Sequence, residues 1–195
     1  MCDIIRPEIS MFGGIAMTFE EKTIESEYIY KGAILNLRRD KVNVINGTSY
    51  REIIEHNGGA AIVAMKDDGS VIMVKQYRKA PEEVMLEVPA GKRDDDEAPE
   101  EVAVRELKEE TGYTANSIIP LGRMHPTPGY SQEVLYLFLA QDLIPGETIF
   151  DDNEAIDICE YPLDELVDMI MSGEIKDGKT QVALLMTAEY LRRSK

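Results

Sequence analysis

The chain has no tryptophan, only two cysteines (Cys2 and Cys159) and only two histidines (His56 and His125) among 195 residues. Two cysteines cannot build a disulfide framework, and that scarcity points to the cytoplasm. The histidines are isolated from each other and read as loop or structural residues. No apolar run reaches the roughly 18 residues that a membrane span needs. Positive charge is also scarce. There are 21 Lys and Arg against 37 Asp and Glu, a formal net charge of −16. That balance argues against general nucleic-acid or anionic-membrane binding. A phosphate ligand would therefore need local positive charge, from arginines or from metal ions. Repeats and low-complexity segments are missing. Residues 1–20 carry Asp3 and Glu8 but no basic n-region, so they make a poor signal peptide. Met11 and Met17 are alternative starts, and residues 1–20 read as a tail of unassigned role.

What is present describes an ordinary soluble globular protein, 44% hydrophobic and 30% charged. The length suits one domain with room for a small extra subdomain, and it can bury a substantial core. Residues 26–55 are rich in β-formers, among them Ile34, Val42, Val44, Tyr50 and Ile53. Asn46-Gly47 predicts a two-residue hairpin turn there. A unit of two or three strands is marginal alone and must pack on something. His56-Asn57-Gly58-Gly59 breaks the pattern and marks a boundary, giving a β unit over 21–57 and a main domain over 58–195.

Ala60–Met65 and Val71–Gln76 predict two apolar strands joined by a hairpin. Val84–Val88 predicts a third, ending at Pro89-Ala90-Gly91. A helix is predicted from Pro99 to Thr111, with proline in its first turn and Gly112 just past its end. Strands follow near 117–124, 133–140 and 155–160, then helices over Leu163–Met171 and Thr180–Arg192. Strands and helices mix without regular alternation, so the predicted class is α+β, a mixed sheet covered by helices.

One stretch stands out. In RELKEETGY, residues 105–113, Glu106, Glu109 and Glu110 are spaced i, i+3 and i+4. All three carboxylates fall on one side of a helix, where like charges destabilise by a few tenths of a kcal/mol per pair. Most glutamate runs are solvated faces. A hard divalent cation would turn this repulsion into attraction, because Mg²⁺ takes oxygen ligands from carboxylates, waters and substrate phosphates. Arg105 is placed to pair with one of the carboxylates and fix its rotamer.

The full stretch GKRDDDEAPEEVAVRELKEETGY, residues 91–113, resembles the Nudix box in every defining position: G-x5-E-x7-R-E-(apolar)-x-E-E-x-G-(apolar or aromatic). The resemblance extends to KQYRKAPEEVMLEVPAGK, HPTPGYSQE and DDNEAIDICEYPLDELVDMIMSGEIKDGKT. Over roughly residues 20–190 the chain is similar to the bacterial ADP-ribose pyrophosphatases. Pro128, fifteen residues past Tyr113, sits where that subfamily has a proline. The resemblance implies an α/β/α sandwich with a mixed sheet and a small N-terminal antiparallel strand unit. It implies Mg²⁺-dependent hydrolysis of ADP-ribose to AMP and ribose 5-phosphate, with Mn²⁺ as a substitute. It also implies a homodimer built through the N-terminal unit, in which each site is reached by its partner. Another nucleotide sugar or dinucleotide as substrate, and a non-catalytic domain that senses ADP-ribose, stay open as alternatives.

Roles follow position by position from the same resemblance. Glu106 and Glu110 match metal ligands, with Glu109 beside them, and the Ala90 carbonyl matches a backbone ligand. Glu154 matches a late-loop carboxylate used as ligand or base. Asp152 stands where some relatives carry a glutamate proposed as catalytic base, so the identity of the base stays open. Arg105 and Glu109 belong to the same catalytic helix. Arg51 and Glu52 match residues on the adenosine half, and Arg78 matches a phosphate-contacting arginine. Glu133 reads either as a residue approaching the site or as a surface charge.

Overall fold

The computed structural model describes residues 19–94, 96–148 and 155–194. Asp152 and Glu154 lie outside the described residues. The chain folds as α+β around two sheets. The first is a three-stranded antiparallel sheet of β1 (Thr23–Lys31), β2 (Asn36–Val44) and β3 (Gly47–Glu55). Its second hairpin closes one residue earlier than expected. Val44 pairs with Gly47, so the loop is Ile45-Asn46 rather than Asn46-Gly47. Gly47 is instead the first residue of β3, at φ 112°, a conformation that suits glycine.

Asp40 anchors this sheet. It is buried, and it accepts from Ser26 at 2.7 Å and from Arg38 Nε at 2.9 Å. β1 begins at Thr23, before the predicted strand region, and is exposed along its whole length. Ile24, Tyr28, Ile29 and Tyr30 are each about half exposed. An edge strand with this much open apolar surface is a ready pairing surface.

The second sheet has seven strands: β4 (Gly59–Met65), β5 (Ser70–Arg78), β6 (Glu83–Glu87), β7 (Ala90–Lys92), β8 (Thr114–Met124), β9 (Leu135–Ile144) and β10 (Ile156–Pro162). The order is β10-β5-β4-β9-β8, with β6 on β5 and β7 on β4. β4 and β9 run parallel and the other pairs antiparallel, so the sheet is mixed. β4 is buried at every residue. Its side chains alternate between faces. Ala60, Ile62 and Ala64 pack under Val102, Ala103 and Leu107 of α1 (Pro99–Thr111). Ala61, Val63 and Met65 pack against Leu166 of α2 (Leu163–Met171) and Ala183 and Leu184 of α3 (Gly178–Arg193). A strand covered on both faces reads as an unbroken apolar run, which is what residues 60–65 show. The result is the α/β/α sandwich.

Helix α1 owes its limits to local chemistry. Pro99 stands in the first turn, and Glu101 reaches back to accept from the Ala98 N–H at 3.1 Å. Gly112 ends the helix at φ 78°, donating to the Lys108 carbonyl at 2.8 Å. α3 starts at Gly178, two residues earlier than expected. Its N-cap is Asp177, which accepts from the Thr180 N–H at 3.0 Å. Among the described residues no helix is long and apolar enough to cross a membrane.

Among the described residues, a short bridge joins the two sheets. The Ile54 N–H donates to Tyr130 O at 2.7 Å, and the Gln132 N–H donates to Ile54 O at 3.0 Å. This short parallel bridge ties the end of β3 to the loop before β9.

Candidate metal and phosphate site

Rows along α1 decide which carboxylate faces what. Arg105 and Glu109 share one i, i+4 row, and Glu106 and Glu110 share the next. The Arg105 guanidinium is a hub. It donates to Glu97 at 3.0 Å, Glu106 at 2.7 Å, Glu109 at 3.0 Å and the Lys92 carbonyl at 3.3 Å. The hydrogen bond from Arg105 holds the Glu97 carboxyl below the usual carboxylate range, against the opposing effect of burial. The same bond, with the nearby Glu106 and Glu109, keeps Arg105 firmly charged.

Glu106 and Glu110 face the backbone of β7. A Cβ built on Gly91 would lie 1.7 Å from Glu106 Oε1. Glycine at 91 thus leaves the space in which this carboxylate sits. One residue earlier, the Ala90 N–H donates to Glu110 Oε2 at 3.1 Å. Glu110 is only 3% exposed, whereas the Glu109 side chain is 37% exposed. The three glutamates are therefore placed differently, although they share a helix side. Two flank the Ala90–Gly91 backbone, and the third stays at the rim with Arg105. Among the described residues no group of three or more His, Cys, Asp or Glu is close enough to hold a metal ion.

The donor set still suits a hard cation. It is all oxygen, its acids outnumber the one guanidinium that bridges Glu97, Glu106 and Glu109, and Gly91 leaves a cradle that any side chain would fill. Gly91→Ala is expected to displace the Glu106 carboxylate and cut turnover on the order of 10-fold to 100-fold, as loss of metal-site support does. Steady-state kinetics at rising Mg²⁺ will check this. Full activity at ordinary Mg²⁺ would show that the cradle has no part in the site.

Arg78, at the end of β5, is bound side-on by Glu87, with Nε to Oε1 and Nη2 to Oε2 both at 2.7 Å. Lys179 from α3 also pairs with Glu87, and with Asp177 at 2.9 Å. Sequence reasoning passed over Glu87, Lys179 and Asp177. Alternation in the β6 segment marks a strand but does not show that a buried acid needs two cations.

The other expected residues stand apart. Arg51 donates to Glu21 at 2.8 and 2.6 Å, to Ser49 at 3.1 Å and to the Tyr50 carbonyl at 2.9 Å, all within the N-terminal unit. Glu52 is exposed. Neighbours along a strand face opposite sides, so Arg51 and Glu52 do not share a face. His56 Nδ1 accepts from the Gly58 N–H at 3.0 Å and lies 3.4 Å from Glu133, so both belong to the junction between the sheets. His125 is exposed. A polar cavity of about 340 Å³ opens at that junction, lined among others by Asn36, Glu55, His56, Lys92 and Gln132. Lys92 adjoins Gly91, so the cavity lies beside the carboxylate helix.

Comparison with known proteins finds relatives over most of the chain. The NUDIX domain family model matches residues 55–182. An ADP-ribose pyrophosphatase of Bacillus subtilis (strain 168) is 38% identical over 183 residues, covering 91% of this chain and 99% of that protein. A methanol dehydrogenase activator of Bacillus methanolicus is 40% identical over 169 residues, covering 85% of this chain and 91% of its own. Among solved structures, an ADP compounds hydrolase superposes with a TM-score of 0.80 at 23% identity, over 90% of this chain and 96% of that one.

Proposed function

Because this chain belongs to the Nudix family and is a pyrophosphohydrolase of that family, we propose that its substrate is ADP-ribose, hydrolysed to AMP and ribose 5-phosphate with Mg²⁺. Mn²⁺ is the expected substitute. The observation that carries the reading is the pair Glu106 and Glu110 set against the Gly91 and Ala90 backbone. In this reading Glu106, Glu109, Glu110, Glu154 and the Ala90 carbonyl hold the metal. The chemistry that the bound metal supplies is Lewis-acid polarisation of phosphoryl oxygens and neutralisation of leaving-group charge.

The protein's own groups do the rest. Water attacks one phosphorus, and the bridging P–O bond breaks so that each product keeps one phosphate. The proton of the water passes to one of the two late-loop carboxylates, Glu154 or Asp152. Arg105 keeps Glu106 and Glu109 oriented through its two short bonds. Arg78 supplies positive charge to the pyrophosphate in a protein whose formal net charge is −16. Arg51 and Glu52 contact the adenosine half.

The division of labour follows. Residues 21–57 form a dimerisation unit that brings Arg51 and Glu52 to the partner's site, and residues 58–195 form the catalytic domain. The exposed β1 edge supports this. The protein is read as cytoplasmic, acting on a nucleoside diphosphate sugar without nucleic acid or membrane.

A turnover panel tests the function: ADP-ribose, other ADP-sugars, GDP-mannose, NADH and nucleoside triphosphates, with products identified by chromatography. The highest kcat/KM is expected for ADP-ribose. A better substrate elsewhere in the panel moves the assignment to that compound. Binding of ADP-ribose without turnover of any member would mean a sensing domain.

A further inference from the structure

We propose that Glu87 is a positioning residue: it clamps one edge of the Arg78 guanidinium so that the other edge is presented to the substrate's pyrophosphate. This rests on the reading of Arg78 as the phosphate-contacting arginine.

The geometry of a guanidinium carries the argument. It has five N–H donors in a rigid plane and offers two separate forks, one side-on through Nε and Nη2 and one end-on through Nη1 and Nη2. Glu87 takes the side-on fork with two bonds of equal length, 2.7 Å. Two bonds in one plane fix that plane and leave the end-on fork with a set direction. Among the described residues, every hydrogen bond of the Arg78 guanidinium goes to Glu87.

Burial points the same way. The Glu87 side chain is 1% exposed, and the Arg78 side chain is 40% exposed. The acid is sunk, and the cation it holds stands open to solvent. Burying a carboxylate is costly unless cations compensate it, and here a second cation, Lys179, does so from the α3 side. If the cluster served only to staple β6 to α3, Lys179 with the Thr180 hydroxyl would suffice. That hydroxyl already accepts from the Val88 N–H at 3.0 Å. The bidentate arginine adds nothing to that staple. It adds an oriented, partly open fork.

Location completes the case. Glu87 lies three residues before Ala90, whose N–H binds Glu110. Arg78 also feels the negative field of the Glu110 carboxylate, after its stronger interaction with Glu87. The Arg78 charge thus lies within electrostatic reach of Glu110, one of the carboxylates assigned to the metal. Lysine at 78 would not serve, because an ammonium has no second planar fork to aim.

The test is a double-mutant cycle on ADP-ribose hydrolysis with Glu87→Gln, Arg78→Ala and the pair. Glutamine keeps the shape but puts a donor where Arg78 needs an acceptor. Arg78 contacts phosphate both before and during reaction, so its misorientation raises KM and leaves kcat nearly unchanged. A rise in KM on the order of 10-fold is expected for Glu87→Gln, with the double variant no worse than Arg78→Ala. Partial unfolding does the opposite, lowering apparent kcat at constant KM. Where Glu87→Gln does not fold, Glu87→Asp keeps the charge for Lys179, shortens the clamp and carries the same test. A kcat loss at unchanged KM, or effects that multiply in the double variant, overturns the positioning role while the Arg78 reading stands. Wild-type KM in Arg78→Ala overturns the Arg78 reading, and this inference with it.

Discussion

Glu110→Gln is expected to lower turnover of ADP-ribose by on the order of 10²-fold or more while leaving the fold intact. The two halves of that expectation have separate causes. Glu110 is 3% exposed and accepts the Ala90 N–H at 3.1 Å. Glutamine keeps an oxygen for that N–H, so the contact between α1 and β7 survives. Its amide brings no charge, and a neutral group in this buried place has less solvation to lose than a carboxylate. Relief of repulsion with Glu106, one turn away, works in the same direction. Without metal, the melting temperature of the variant should equal or exceed that of the wild type. With metal, the wild type should gain stability, because a ligand that binds only the folded state raises it, and the variant should gain little. Turnover near the wild-type rate would falsify the assignment of Glu110 to the metal.

The second large effect concerns the dimer. Arg51 lies in the three-stranded sheet, held by Glu21, Ser49 and the Tyr50 carbonyl. α1 lies on the other sheet, and the bridge at Ile54 and Ser131 joins the two. In the proposed shared-site arrangement, a second chain carries Arg51 and Glu52 to the site. The β1 edge offers the means, since a two-fold interface would cover Ile24, Tyr28, Ile29 and Tyr30. An Arg51→Ala, Glu52→Ala protein and a Glu106→Gln, Glu110→Gln protein should each be nearly inactive. Mixed under conditions that exchange subunits, they place both defects in one site and leave the other whole. Random exchange of equal amounts should restore about a quarter of wild-type activity. If the mixture stays as inactive as its components, with exchange verified by native mass spectrometry, each site is built from one chain.

Much of the architecture was legible in advance because it rests on local rules. The apolar run at 60–65 marked a strand, and Pro99 and Gly112 bounded α1 at the residues the structure shows. The carboxylate helix was legible because spacing alone puts Glu106, Glu109 and Glu110 on one side. Other features were hidden for physical reasons. β1 is exposed throughout, so no burial pattern marks its start at Thr23. β7 is three residues long, too short for alternation to register. The hairpin at 45–46 shifted by one residue because the glycine was needed at the first paired position, where φ is positive.

The sequence by itself determined the fold class, the carboxylate helix and its resemblance to a family, because these depend on periodicity and on residues close together along the chain. Tertiary structure alone decided which carboxylate faces which partner. Glu106 sits over Gly91 and Glu110 accepts from Ala90, while Glu109 stays at the rim with Arg105. Tertiary structure alone also brought Glu87, Arg78 and Lys179 together, from segments up to 101 residues apart in the numbering. The reason is the same in both cases. Charge and hydrogen bonding act through space over a few ångströms, and only the packed sheet and helices set those distances.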